Sequence, residues 1–256
     1  MSANTPHRET FRHQANDIFQ PEVDQGPGHH GTITRQYLID TSQELRLQMV
    51  RAGIDRIDGV IYTHAHADHI FGLDDLRRFN AVMKKPVDMF AEPATLNKLR
   101  QTFEYVFAPE RNENNSFVAT LVAHELRIGE PFVLYNARWT PIRLMHGKLP
   151  IVGLRIDWNA SANGDKRSLA YCTDVSLIPP ESYPLLEGLD VLVIDALRYR
   201  PHPTHMTVEQ ALCEIAIIKP KRSYFTHIAH DIRHEDLSAR LPENVFLSYD
   251  GLKVIV

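Results

Sequence analysis

The segment Tyr62-Thr63-His64-Ala65-His66-Ala67-Asp68-His69 places four metal-competent side chains within six residues, directly after the apolar run Gly59-Val60-Ile61. On an extended segment alternate side chains share a face, so His64 and His66 can grip one ion, and a turn lets Asp68 and His69 face a second. Imidazole and carboxylate donors together suit zinc, iron or manganese. With no thiolate among them, the spacing describes an open catalytic centre and not a closed structural one. Two cations side by side lower the pKa of a shared water, so hydroxide forms near neutral pH and can attack an ester, amide or phosphodiester. Asp68, reaching both ion and water, can orient that nucleophile and accept its proton. No serine or cysteine nucleophile is needed.

A chain of 256 residues with 43% hydrophobic content can bury one substantial core. A net charge of -4 gives no support to an extended nucleic-acid surface. Cys172 and Cys213 have no paired spacing, which fits a reducing cytoplasm, and Cys172 reads as a small buried filler. The first ten residues lack the apolar core of a signal peptide, and no apolar run approaches membrane-spanning length. A soluble, cytoplasmic protein without a membrane partner is the expectation.

Residues 1–34 are polar and broken by Pro21, Gly26, Pro27, Gly28 and Gly31, and they read as an arm or loop in which His29 and His30 are solvated. Residues 35–256 read as a single domain. A strand over 36–39 delivers Asp40, and Thr41 with Glu44 predicts a capping box for a helix through Ala52. After the histidine segment, the pattern predicts a helix over 70–79, a strand over 87–90 and a longer helix over 94–107 beginning after Pro93. Residues 108–120 are too polar to pack and read as an exposed loop able to serve as a lid.

From Pro131 the period changes to strands, at 132–135, 140–145, 151–157 and 168–172, with Asn163-Gly164 marking a hairpin turn. His146 and Asp174 each follow an apolar run where it gives way to a loop. A buried strand over 191–194 ends in Asp195, and Thr207 with Gln210 forms a second capping box for a helix through Ile218. A strand over 223–226 then delivers His227, followed by a helix over 234–241 and closing strands at 245–247 and 252–256.

His-x-His-x-Asp-His between a buried strand and a helix resembles the signature of the metallo-β-lactamase superfamily, and the likeness runs from about Tyr37 to the last residue. The resemblance implies an α/β fold, a four-layer αββα sandwich with two divalent metal ions at the edge of its two sheets. It assigns His64, His66 and His146 to one ion, Asp68, His69 and His227 to the other, and Asp174 to a bridge between them. Zinc is the first expectation for both ions, with manganese or iron as alternatives. Asp40 is implied as the buttress of the histidine loop, with Asp195 as a second support behind the ligands.

Flavin-linked di-iron relatives carry glutamate in place of the motif's second histidine, here His66. Common β-lactamases carry cysteine where Asp174 stands, so the carboxylate favours ester or phosphodiester hydrolysis. The run Asp195-Ala196-Leu197-Arg198-Tyr199-Arg200-Pro201-His202-Pro203-Thr204-His205 is similar to the phosphodiesterase branch that includes the phosphoribosyl cyclic phosphate phosphodiesterases. There, a histidine at the position of His205 faces the metals and helps the leaving oxygen or binds the phosphate. Arg198 and Arg200 are further candidates for phosphate, His230 for the cleft rim, and His202 between its prolines reads as solvent-exposed. Members of that branch usually begin with a Gly-rich first strand, and some carry a cysteine cluster; residues 1–34 show neither.

The implied reaction is hydrolysis of a small cyclic or nucleotide-derived phosphodiester by a metal-bridging hydroxide. Three alternatives are weighed against it. A thioester hydrolase of this fold adds a helical C-terminal domain, whereas this chain is expected to end in strands. A transfer-RNA 3′-processing nuclease needs a protruding basic arm, and no Lys/Arg run supplies one. A metal- or nucleotide-binding module without turnover would be expected to have lost at least one ligand. The expected partner is a small phosphoester substrate, with a homodimer as an option that the sequence leaves open.

Overall fold

The computed structural model describes residues 17–19, 22–24, 32–108, 117–159 and 165–256. Three short strands come first, β1 (Asp17–Phe19), β2 (Glu22–Asp24) and β3 (Thr32–Thr34). Then follow β4 (Tyr37–Ile39), α1 (Leu45–Ala52), β5 (Gly59–Ile61), α2 (Ala67–Ile70), α3 (Leu76–Met83), β6 (Val87–Ala91), α4 (Pro93–Thr102), α5 (Glu104–Phe107) and β7 (Leu121–Glu125). The second half holds β8 (Phe132–Leu134), β9 (Ala137–His146), β10 (Leu149–Asn159), β11 (Lys166–Cys172), β12 (Val191–Asp195), α6 (Val208–Ile218), β13 (Arg222–Thr226), α7 (His234–Ser238) and β14 (Val245–Leu247).

These strands form two large sheets, in the orders β1-β4-β5-β6-β7 and β14-β13-β12-β11-β10-β9-β8, and β2 with β3 forms a separate pair. Three apolar clusters show how the layers stack. Leu38, Val60 and Met89 face Leu45, Leu76, Leu96 and Leu99 of the helices on the outer side of the first sheet. Tyr37, Ile39, Ile61 and Phe90 meet Trp139, Val152, Leu154 and Ile156 between the sheets. Leu192, Ile194 and Phe225 face Ala211, Ile215 and Leu237 beyond the second. Helix, sheet, sheet and helix therefore make a four-layer αββα sandwich, as expected.

Strand direction explains why the site lies at one edge. Strands β4, β5 and β6 run parallel, so their carboxyl ends share an edge. Strands β11, β12 and β13 are also parallel. β9 is antiparallel to β10, which is antiparallel to β11, so β9 and β11 run the same way and end together. Asp40, His64, His146, Asp174, Asp195 and His227 all sit at or just beyond such strand ends, the usual place for a ligand cleft in α/β sheets. The Val152 N–H donates to the Thr63 carbonyl at 3.0 Å, and Arg143 of β9 clamps Glu92, just past β6, through bonds that include one of 2.8 Å. Both contacts tie the two sheets together at this edge.

Several local expectations are corrected. Residues 1–34 are not wholly an arm, because β1 pairs antiparallel with β4 and completes the edge of the first sheet. His29 and His30 lie outside the described residues. Thr41 caps no helix: α1 begins after Glu44 without a side-chain cap, and the Thr41 hydroxyl instead sits 3.0 Å from the Tyr62 hydroxyl. The helix expected over 94–107 breaks at Phe103, whose φ of -117° and ψ of 45° are not helical. The expected lid falls mainly on residues 109–116, and the Asn163-Gly164 turn also lies outside the described residues. Strand β7 was not anticipated, α7 stops at Ser238, and residues 252–256 form no strand.

The helix expected over 70–79 is also divided, into α2, a 3₁₀ turn over Leu73–Asp75, and α3. Gly72 is the reason. Its N–H donates to the Thr41 carbonyl at 2.9 Å, and a Cβ there would lie 2.1 Å from the Ser42 carbonyl oxygen. Backbone must therefore pass against backbone to hold the histidine segment beside Asp40. Gly72→Ala is expected to lower unfolding free energy by about 3 kcal/mol, the upper range for forcing a methyl into a packed interior. Denaturant titration checks this, and a variant as stable as the parent would show that the close approach is dispensable.

Candidate metal centre

The site is built outward from Asp40, which leaves β4 with φ of +64° and is buried. One carboxylate oxygen, Oδ1, accepts the Thr63 N–H at 2.8 Å. The other, Oδ2, accepts the Thr63 hydroxyl at 2.7 Å and pairs with His69 Nδ1 at 2.7 Å. This is the buttress implied by the sequence, and it sets tautomers as well as positions. The Thr63 hydroxyl has one proton and gives it to Asp40, so at 3.0 Å it accepts from His64 Nδ1–H. His64 Nε2 therefore carries a lone pair. His69 likewise donates through Nδ1 and turns Nε2 into the cleft, where that buried nitrogen has no hydrogen-bond partner.

The same logic holds in the second sheet. His146 Nδ1 lies 2.8 Å from the Thr204 carbonyl, which can only accept, so its Nε2 is also free to donate a lone pair. His64 Nε2 and His66 Nδ1 stand 3.0 Å apart, close to the separation of about 3.3 Å expected for two nitrogens on one tetrahedral zinc. Donor atoms of His64, His66 and His146 all lie within 4.8 Å of one another, as do those of Asp68, His69 and His227. Asp174 stands between the groups: its Oδ2 is 3.4 Å from His69 Nε2, and its Oδ1 is 3.3 Å from His227 Nε2. Its donor also groups with His64 and His69. All seven side chains named from the sequence thus lie in overlapping donor groups at one edge of the sandwich.

The electrostatics suit cations. Burial, reinforced by His69, pushes the His64 imidazole down to about 2, which keeps its nitrogen unprotonated. Burial would also depress His69, but the Asp40 and Asp174 carboxylates outweigh it and raise His69 well above the usual histidine range. Burial would raise Asp174, yet His227 and His69 hold it well below the usual carboxylate range. The carboxylates that raise His69 favour positive charge at its Nε2, where a divalent ion would take the place of a proton. The orphaned nitrogen, the fixed tautomers and the hard carboxylate between the two donor groups all fit divalent metal ions.

Behind the cluster, Asp195 is fully buried and its Oδ2 lies 2.7 Å from His205 Nδ1. Burial and the nearby Asp174 raise the Asp195 carboxyl well above its usual range, while burial and His227 push His205 down to about 3. The His205 ring stacks on His227 at 4.6 Å and meets His146 edge-on at 4.6 Å. Its donor is also close enough to those of His146 and Asp174 to join their group.

The remaining candidates fare differently. Arg198 does not point at the cleft: its guanidinium donates to the carbonyls of Arg200 at 3.1 Å and Pro201 at 2.9 Å, stapling its own loop. Arg200 and His230 are exposed. His202, expected in solvent, is half-buried with its ring 5.0 Å from that of His205. Cys172 is a buried filler as expected, its thiol pushed up by burial to about 12. Sequence reasoning missed Thr63, Thr173, whose hydroxyl donates to Asp174 at 2.7 Å, and the Thr204 carbonyl. The Thr-His and Thr-Asp dipeptides at strand ends were a usable signal for the first two; a main-chain carbonyl leaves none.

The four-layer αββα sandwich carries a histidine-rich cluster at its edge, with a carboxylate between its donor groups, whose side chains could hold metal ions. The chain belongs to the metallo-β-lactamase superfamily: the family model described as a beta-lactamase superfamily domain matches residues 35–228. It resembles a diphosphatase of the PhnP family of known crystal structure, with 37% identity over 87% of this chain and 80% of that one, at a TM-score of 0.75. The human short-form tRNase Z shares the fold at 18% identity, covering 91% of this chain and 95% of that one, with a TM-score of 0.64. A protein of Porphyromonas gingivalis (strain ATCC BAA-308 / W83) called octanoyltransferase is 34% identical over 226 residues, 87% of this chain. This chain spans only 42% of that relative's length. Among the described residues, no helix is long and apolar enough to cross a membrane.

Asp40→Asn tests the buttress. The new amide would set N–H groups against the donors it now accepts from, so His64 and His69 would lose their fixed orientation. Affinity for zinc, read by competition with a chelating indicator, is expected to fall about 10–100-fold, the usual scale for removing such a support. Unchanged affinity would show that Asp40 only shapes the loop.

Proposed function

We propose that the protein hydrolyses small phosphodiesters, cyclic or nucleotide-derived, with two divalent ions held by His64, His66 and His146 and by Asp68, His69 and His227, with Asp174 between them. Zinc is the first choice for both ions, with manganese or iron as alternatives. Bound there, the ions supply an acidified water and neutralise charge on phosphoryl oxygens. Asp68, part-exposed at the cleft, orients the nucleophile and takes up its proton.

The observation that carries the reading is the buried His205–Asp195 dyad beside the seven donor side chains. When the buried acid is uncharged, the dyad holds two exchangeable protons, one in the 2.7 Å hydrogen bond and one on His205 Nε2. That second proton would serve a phosphoryl oxygen or a departing alkoxide. The likeness to a PhnP-family diphosphatase supports phosphoryl chemistry. In a diphosphate substituted at both ends, each phosphorus carries two P–O–C or P–O–P linkages, as in a diester, so one site can serve both.

Acyl transfer, suggested by the name of the P. gingivalis relative, finds less support here. The Cys172 thiol is buried and held protonated up to about 12, so it offers no acyl acceptor beside the cluster.

A chromogenic phosphodiester, a monoester, a thioester and a β-lactam compared side by side test the reading, with the diester expected to be cleaved fastest. His205→Ala should keep its metal and lose about a hundredfold or more in diester turnover. A substrate with a very good leaving group should suffer less if His205 protonates the departing oxygen. Preference for a thioester or β-lactam, or unchanged turnover in His205→Ala at full metal content, would contradict the proposal.

A further inference from the structure

The loop between Asp195 and His205 carries a second imidazole that the proposed reaction does not use. His202 lies between Pro201 and Pro203, whose rings fix φ on either side, and Arg198 pins the loop through the carbonyls of Arg200 and Pro201. The backbone N–H of Thr204 donates to His202 Nδ1 at 3.4 Å, and the Thr204 hydroxyl lies 3.2 Å from the same atom. A backbone N–H can only donate, so Nδ1 is the acceptor and the proton of the neutral ring is on Nε2. The ring centroid stands 5.0 Å from that of His205, tilted by 48°, so the two imidazoles are neighbours on the same loop.

The carbonyl of the same residue, Thr204, fixes His146, and Gly147 lets the two segments meet. Gly147 has φ of +62°, and a Cβ there would come within 2.8 Å of the Thr204 side chain. Thr204 therefore holds His146 through its carbonyl and His202 through its N–H, so the second imidazole is set relative to the cluster by one residue. Its side chain is half-buried, and a neutral imidazole with its proton on Nε2 is a hydrogen-bond donor there.

We propose that His202 is a substrate-binding residue whose Nε2–H donates to a non-bridging phosphoryl oxygen, beside the oxygen served by His205. The assignment deepens the phosphodiester reading and rests on it. A neutral donor adds affinity for the phosphoryl group without adding charge to a cleft already built for two cations. It also gives the exposed end of the loop a task that Arg198, committed to carbonyls, does not perform.

The test measures His202→Ala and His202→Gln in the metal-loaded protein, using bis(p-nitrophenyl) phosphate for turnover and inorganic phosphate for direct binding. His202→Ala is expected to raise KM and the phosphate Kd each by about tenfold, the scale for one hydrogen bond to a charged group. Turnover at saturation should stay within about threefold, with melting temperature and metal content unchanged. His202→Gln, whose amide N–H has similar reach, should recover most of the loss. Unchanged KM and Kd, no phosphate binding by the parent, or activity lost in step with metal or melting temperature would each overturn the assignment. A parent that binds phosphate but cleaves no diester would sink the phosphodiester reading alone, because the phosphate Kd still reports on His202.

Discussion

The constraint on which the rest depends is the Asp40 carboxylate and the three donors it holds. Thr63 N–H, the Thr63 hydroxyl and His69 Nδ1 converge on its two oxygens at 2.7–2.8 Å. Removing the carboxylate would release the orientation of His69 directly and that of His64 through the Thr63 hydroxyl. The chain accepts local strain to place it. Asp40, Asp174 and His227, with φ of +64°, +55° and +54°, all lie in the left-handed region that a side chain with a Cβ disfavours. Such conformations cost of order 1 kcal/mol or more each and persist where packing over-determines them. Glycine would relieve that strain and supply no ligand.

The two sheets divide the work. The first brings the histidine segment and its buttress to the common edge, while the second brings His146, Asp174, Asp195 and His227 from four different strands or the loops that follow them. Neither half offers a complete donor set, so the gap between the sheets is itself a functional dimension. That gap is filled by an apolar layer around Tyr37 and Trp139, whose rings meet at 5.3 Å, and is pinned at the cleft by Val152 on Thr63 and Arg143 on Glu92. Packing therefore acts on chemistry through distance: a shift between sheets would separate the donors before it unfolded the protein.

What could be read from sequence was whatever depends on side-chain type at the end of an apolar run. His64 to His69, His146, Asp174, Asp195 and His227 were all legible because buried strands announce themselves and polar residues just beyond them are conspicuous. Capping was legible only in part. Thr207 and Gln210 form a full capping box, whereas Thr41 and Glu44, at the same spacing, form none, because Thr41 is drawn inward against Tyr62 and the backbone near His69. The three-residue strands near the start carry too little periodicity to declare themselves. The placing of His202 and Arg198 was hidden because it depends on main-chain donors and acceptors, which no residue letter reveals.

The central claim is that these seven side chains hold two metal ions at once. Metal-free protein reloaded with zinc or manganese, then freed of excess metal and weighed by native mass spectrometry alongside elemental analysis, measures this directly. Two ions per folded chain are expected, with diester hydrolysis lost on chelation and restored on reloading. A chain that saturates with a single ion at full activity, or that holds none after reloading, would contradict it.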